Sequence, residues 1–146
     1  MSKHNTFETD ILKLILTNVD SPNIGDAAGL QNSATEGSLY VSLHTSDPGE
    51  TGDQTTNEIS YTGYARVAVA RNTGGWTVAN GAAENAAAIT FGACTAGSGT
   101  ATHFRIGTAS SGAGYVLYTG ALGASLAISA GITPEFAAGA LDLAED

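Results

Sequence analysis

The stretch LYVSLHTSDPGETGDQTTNEISYTGYARVAVAR, Leu39 to Arg71, sets two alternating apolar patterns on either side of a long polar segment. Leu39, Val41 and Leu43 fall on one side of an extended chain and Tyr40, Ser42 and His44 on the other, the period-two signature of a half-buried strand. Ala65, Val67 and Val69 repeat the pattern against Arg66, Ala68 and Ala70. Between them, Ser46-Asp47-Pro48-Gly49 begins a turn, because proline presets φ and the glycine after it tolerates φ > 0. The segment then runs on through Thr62, far longer than a hairpin requires, and loops of that length are usually functional surfaces or are ordered by a partner. The loop therefore reads as a binding or assembly element.

Working outward, the N-terminal side predicts a helix over Phe7 to Val19, with Phe7, Ile11, Leu14 and Ile15 along one side and Leu12, Leu16 and Val19 widening the stripe. Asn5 followed by Glu8 has the spacing of a capping box, and Ser21-Pro22 is the expected stop. The stripe packs either on its own domain or on a neighbouring subunit. From Pro22 to Gly37 the chain is polar and lacks apolar periodicity, which predicts an extended arm ordered only on a partner. The C-terminal side predicts short strands at Trp76 and Val78, Ala86 to Phe91, Ala101 to Thr108, Tyr115 to Ala121, Leu126 to Ile128 and Leu141 to Leu143, parted by glycine-rich turns. The expected fold is mainly β: a single-domain β-sandwich, jelly-roll-like, over residues 38–146, preceded by one N-terminal α-helix and arm over residues 1–37.

Composition narrows the function. The chain of 146 residues suits one domain, and its net charge of −9 lacks the basic patch that nucleic-acid binding requires. Arg66 and Arg71 fall on opposite strand faces. Cys94 is the single cysteine, so no intrachain disulfide or thiolate metal cluster can form, and it reads as a small buried hydrophobe. The apolar run Ile11 to Leu16 is broken by Lys13, unlike a secretory signal, and no span reaches the ~20 apolar residues of a membrane helix. A cytoplasmic site of synthesis and assembly is expected, with neither membrane nor nucleic acid as partner.

Chemistry-bearing residues are few. His44 or His103 with Asp47 or Asp142 and a serine is a conceivable hydrolase set, but no G-x-S-x-G elbow accompanies it. Asp47, Glu50, Asp53 and Glu58 are hard oxygen ligands without EF-hand spacing, and a solvated acidic loop describes them better. Glu84 and Glu135 are isolated, which leaves a glycan hydrolase without its carboxylate pair. No catalytic, cofactor or metal residues are expected. Tyr61 and Tyr64 serve either the core or an interface, Trp76 the core. Arg66 and Arg71 cap sheet edges, pair with the chain's own acids, or meet a partner's carboxylate.

Several motifs together resemble a family of small tailed-bacteriophage virion proteins, the capsid cement (decoration) and tail-fibre proteins. They are Leu39 to Glu50, Tyr61 to Arg71, Thr102 to Gly107, Leu117 to Leu122 and Phe136 to Leu143, behind an N-terminal helix. The resemblance implies a non-enzymatic structural protein. Its leading implication is a cement protein on the outer surface of the phage head, bridging the major capsid protein lattice as a homodimer or homotrimer; the alternative is a tail-fibre or minor tail protein that binds the host surface. The residues expected to meet a partner are Phe7, Ile11, Asp47, Glu50, Asp53, Tyr61, Tyr64 and Arg66.

Overall fold

The computed structural model describes residues 2–145 apart from Asn23, Asp26 and Ala27. The fold is mainly β with one leading helix, as the alternating patterns predict, and its antiparallel sheets are consistent with the β-sandwich class. The chain forms two interleaved units, one from residues 1–38, 70–89 and 136–146, the other from residues 39–69 and 90–135.

In the first unit, helix α1 spans Asn5–Leu16 and packs on β3 (Trp76–Ala79) and β4 (Ala82–Asn85), with β9 (Asp142–Ala144) beside β4. The helix departs from its sequence reading in three ways. His4, not Asn5, is the N-cap: its imidazole accepts from the Thr6 amide at 3.3 Å. The C-terminus comes before Ser21-Pro22, because Asn18, just past the C-cap Thr17, takes φ 55° and turns the chain so that the Val19 amide reaches back to the Lys13 carbonyl. The buried line is Glu8, Leu12 and Leu16, spaced by four, whereas Phe7 is 40 % exposed and Ile11 half-buried.

Arg71 closes the same helix end. Its Nε and Nη2 donate to the Ile15 and Leu14 carbonyls at 2.6 and 2.8 Å, satisfying acceptors that the last turn leaves open. Its Nη1 also reaches the Glu36 carbonyl and the Ser33 hydroxyl. The expected arm, Pro22 to Gly37, includes three residues outside the described ones; its later part is tied by these bonds and by a reciprocal pair between Asn18 and Ser33.

Strands β3 and β4 join through Asn80-Gly81, both at positive φ (53° and 77°), the conformation of a two-residue type I′ hairpin. The Gly81 amide donates to Thr9 Oγ1 at 2.8 Å, and a Cβ at Gly81 would come within 2.5 Å of Glu8 Oε2. Gly81→Ala is therefore expected to cost roughly 1–3 kcal/mol, from left-handed strain plus displacement of Glu8, read as a lowered urea midpoint. The strand expected at Ala86 to Phe91 is instead split: β4 ends at Asn85, and only Ile89–Thr90 (β5) continues, paired with Glu135–Phe136 (β8). The cause is buried Asn85. Its amide donates to the Ala87 and Ala137 carbonyls and accepts from the Leu141 amide, a hub that pulls the chain out of the ladder.

The second unit holds a four-stranded sheet ordered β2 (Val67–Ala70), β1 (Ser38–His44), β6 (Ser98–Gly107) and β7 (Val116–Ser129). Strands β1 and β6 are antiparallel, with Val41 opposite Ile106 and Leu43 opposite Phe104 on one face, and Ser42 opposite Arg105 and His44 opposite His103 on the other. The two strands expected between Tyr115 and Ile128 form one, β7, interrupted by a bulge: His103 pairs with Ala121 but Ala101 pairs with Leu126.

Candidate functional site: the loop from Thr45 to Thr62

Strand β1 shows the predicted alternation, yet both its faces are buried. Leu39, Val41 and Leu43 are at most 4 % exposed, while Ser42 and His44, on the face expected to meet water, are 0 % exposed. The long polar loop covers that face. It turns back over β1 and β6 instead of projecting away, and buried polar side chains hold it there.

Arg105 is the first. Only 1 % exposed, it donates through Nη1 to the Gly52 carbonyl at 2.6 Å and to the Asp53 carbonyl, and through Nη2 to the Gly49 carbonyl. One planar guanidinium thus gathers three main-chain acceptors of the loop, a geometry that a lysine ammonium lacks. Burial lowers its affinity for the proton, an effect opposed by the charges of Asp53 and Asp47.

His44 is the second. Its Nδ1 lies 2.8 Å from the Thr56 carbonyl, which can only accept, so the proton sits on Nδ1 and Nε2 accepts from the Ser42 hydroxyl at 2.9 Å. A serine and a histidine at that distance resemble a nucleophile and its base. Both are shut off from solvent, however, and the orienting group is a carbonyl rather than Asp47, so the pair acts as a clasp on Thr56. Gln54 is the third. Fully buried, it donates to the Tyr40 carbonyl at 3.3 Å and accepts from the Ala109 amide at 3.0 Å, joining the loop to β1 and to the turn before β7.

Burial sets His44 below its ordinary pKa of 6.5, against the opposing pull of its bond to Thr56 and of the Glu58 charge. Because the folded value lies below the unfolded one, the unfolded chain takes up the proton first as pH falls. The associated stability is complete above 6.5 and is lost below it, down to the folded pKa. Urea midpoints measured across this range should fall on acidification, and His44→Gln should remove that part of the slope; an unchanged slope would place the titrating group elsewhere.

At its C-terminal end the loop is fixed by a charged cluster. Arg66, 9 % exposed, makes a fork with Glu58, Nε to Oε1 at 2.7 Å and Nη2 to Oε2 at 2.8 Å, and also donates to the Ala109 and Gly112 carbonyls. The Tyr64 hydroxyl donates to Glu58 Oε1 at 2.9 Å and accepts from the Leu43 amide at 3.1 Å. Burial raises the Tyr64 pKa first of all, so the phenol keeps its proton. Its ring stacks on Phe91 at 6.1 Å and meets Tyr61 edge-on at 5.3 Å. Between this cluster and the Ser110–Gly112 turn lies an open groove of about 480 Å³, with Glu58, Tyr64 and Arg66 in its lining.

Among the residues expected to meet a partner, Tyr64 and Arg66 are brought together around Glu58. Tyr61 is buried, with its hydroxyl on the Gly92 carbonyl at 2.9 Å. Asp47 and Glu50 are exposed at the loop's outer turn. Asp53 accepts from the Thr55 hydroxyl and amide, at 2.6 and 2.8 Å, which hold its pKa down. Phe7 and Ile11 lie on α1, in the other unit. Three of the four acids considered for calcium are engaged separately, Asp47 with the Gly49 amide, Asp53 with Thr55 and Glu58 with Arg66. Among the described residues no three His, Cys, Asp or Glu side chains converge. Sequence reading missed Ser42, Gln54 and Arg105 as elements of the site, since polar residues within a strand or loop read as solvated.

The fold and the tied loop define a small, mainly β protein whose long polar loop is held to its own sheet by buried Arg105, His44 and Gln54. Residues 4–144 match the model of the podophage GP4 fiber I protein gp80 family, and the chain belongs to that family of phage virion proteins. No curated protein sequence matches the chain significantly. Among the described residues, no helix is long and apolar enough to cross a membrane.

Proposed function

We propose that the chain is a structural subunit of a podophage tail fibre, self-associating and contributing to contact with the host surface. The observation that carries this reading is the family match, which names a fibre protein and extends over residues 4–144. The fixed loop supports it: Arg105, His44 and Gln54 hold a rigid platform whose outer turn presents Asp47 and Glu50 to a partner. Self-association follows the general tendency of small structural subunits to assemble with closed symmetry. The role is taken to be structural rather than enzymatic, with no cofactor in the assembly.

The experiment is to quantify this protein against the major capsid protein in purified particles and to label it in electron micrographs. A handful of copies at the tail is the expected result. Hundreds of copies over the head would overturn the fibre reading and establish capsid cement, bridging major capsid proteins on the outer shell.

A further inference from the structure

The groove beside the Ser110–Gly112 turn lies wholly within the second unit, and its volume of about 480 Å³ falls in the ~300–1,000 Å³ range of small-molecule sites. Hydroxyls line it: Ser60, Ser110 and Ser111 are all exposed. Tyr64 adds a half-buried ring that stacks on Phe91.

Charge decides the ligand class. Glu58 and Arg66 line the groove as a forked pair, so their formal charges cancel. Within the pair the anion is the accessible member, since the Glu58 side chain is 17 % exposed and that of Arg66 only 2 %. The guanidinium is further occupied by the Ala109 and Gly112 carbonyls. An anionic ligand, nucleic acid included, would therefore meet a carboxylate before it met a cation. A metal ion would find one carboxylate where it needs several oxygen ligands, and among the described residues no three His, Cys, Asp or Glu side chains converge. An apolar ligand would strip water from the serine hydroxyls and from Glu58 without replacing its hydrogen bonds.

A neutral polyhydroxylated ligand fits each of these features. Its hydroxyls can donate to Glu58, whose Oε2 accepts from Arg66 and has lone-pair capacity left, and can exchange hydrogen bonds with the serines. The apolar C–H face of a sugar ring can lie on Tyr64. Glu58 is also fixed in advance, by the Tyr64 hydroxyl at Oε1 and by Arg66 at both oxygens, so little ordering is lost on binding.

We infer that the groove between Glu58 and the Ser110–Gly112 turn binds a neutral saccharide, with Glu58 as acceptor and Ser60, Ser110 and Ser111 as hydroxyl partners. The inference rests on the host contact proposed above and gives it a site and a ligand class.

The test displays the full chain in many copies on fluorescent beads, so that weak sites act together, and measures bead binding to cells of the host on which the phage is grown. The cells are used untreated, after periodate, which cleaves the vicinal diols of sugars, and after protease. Wild-type binding should be lost after periodate, survive protease, and change little with salt, because a neutral ligand carries no charge to screen. Ser110→Ala/Ser111→Ala and Ser111→Tyr alter exposed positions, so both should keep the wild-type unfolding temperature, yet bind at least about tenfold more weakly. Wild-type binding by either variant would move the contact off the groove. Binding that survives periodate, or that protease removes, would overturn the saccharide while leaving host contact in place, and a steep loss with salt would overturn its neutrality. A wild type that binds no cells would overturn the host contact itself together with the inference.

Discussion

Arg105→Met is expected to release the loop at Gly49–Asp53 and to lower stability by roughly 2–4 kcal/mol. Hydrogen bonds to a charged donor contribute about 1.5–3 kcal/mol each, but removal of the guanidinium also relieves the cost of burying a charge, and the freed loop carbonyls can turn to water. The net loss is therefore smaller than the sum over three acceptors. Arg105→Lys should fall between wild type and Arg105→Met, because a compact ammonium cannot span the carbonyls of Gly49, Gly52 and Asp53. Urea denaturation gives the global loss, and amide exchange localises it. The Gln54 amide, bonded to the Ala113 carbonyl, and the Ile59 amide, bonded to the Leu43 carbonyl, should lose protection ahead of β1 and β6. Equal protection of these amides in Arg105→Met and wild type would mean that His44 and Gln54 hold the loop without Arg105.

The importance of Arg105 shows where sequence reading stops. Alternation over Leu39–His44 fixes β1 and its inward face, since a one-residue slip would exchange the two sides. It says nothing about what covers the other face. Ser42, His44 and Arg105 are polar at strand positions that ordinarily face water, and only the path of the loop turns them into buried anchors. The short β2 follows from the same locality: the Ala65 to Ala70 pattern reads as one run, but Arg66 is drawn to Glu58 and only Val67–Ala70 stays in the ladder. The Asn80-Gly81 hairpin, in contrast, went unread together with β4, although that dipeptide between apolar residues is a strong short-range turn signal. The helix illustrates a third case. Its 3.6 period is evident, but the stripe is broad enough that Phe7 and Ile11 compete with Leu12 and Leu16 for the core, and tertiary packing makes the choice. Asn85 adds a fourth, because alanines on either side of it support a strand no better than they support the turn that its side chain organises.

Glu58→Ala is expected to cost roughly 2–4 kcal/mol by leaving the Arg66 guanidinium buried without its carboxylate. Removing one partner of a buried pair typically costs about 3–5 kcal/mol. The lower range applies because the Glu58 side chain retains 17 % exposure, so water can reach the vacated position, and because the Ala109 and Gly112 carbonyls still accept from Arg66. Tyr64 adds to the loss, as its hydroxyl would keep the Leu43 amide as donor but lose Glu58 as acceptor. Charge burial and packing separate in a double-mutant cycle with Arg66→Met. If the cost is the stranded cation, Glu58→Ala/Arg66→Met should be more stable than Glu58→Ala alone, since the second change removes the charge that the first left unpaired. Additive losses would instead show that Glu58 and Arg66 act independently, Glu58 through Tyr64 and Arg66 through the Ser110–Gly112 turn. In that case the floor of the groove would be set by the aromatic stack of Tyr64 on Phe91 rather than by the ion pair.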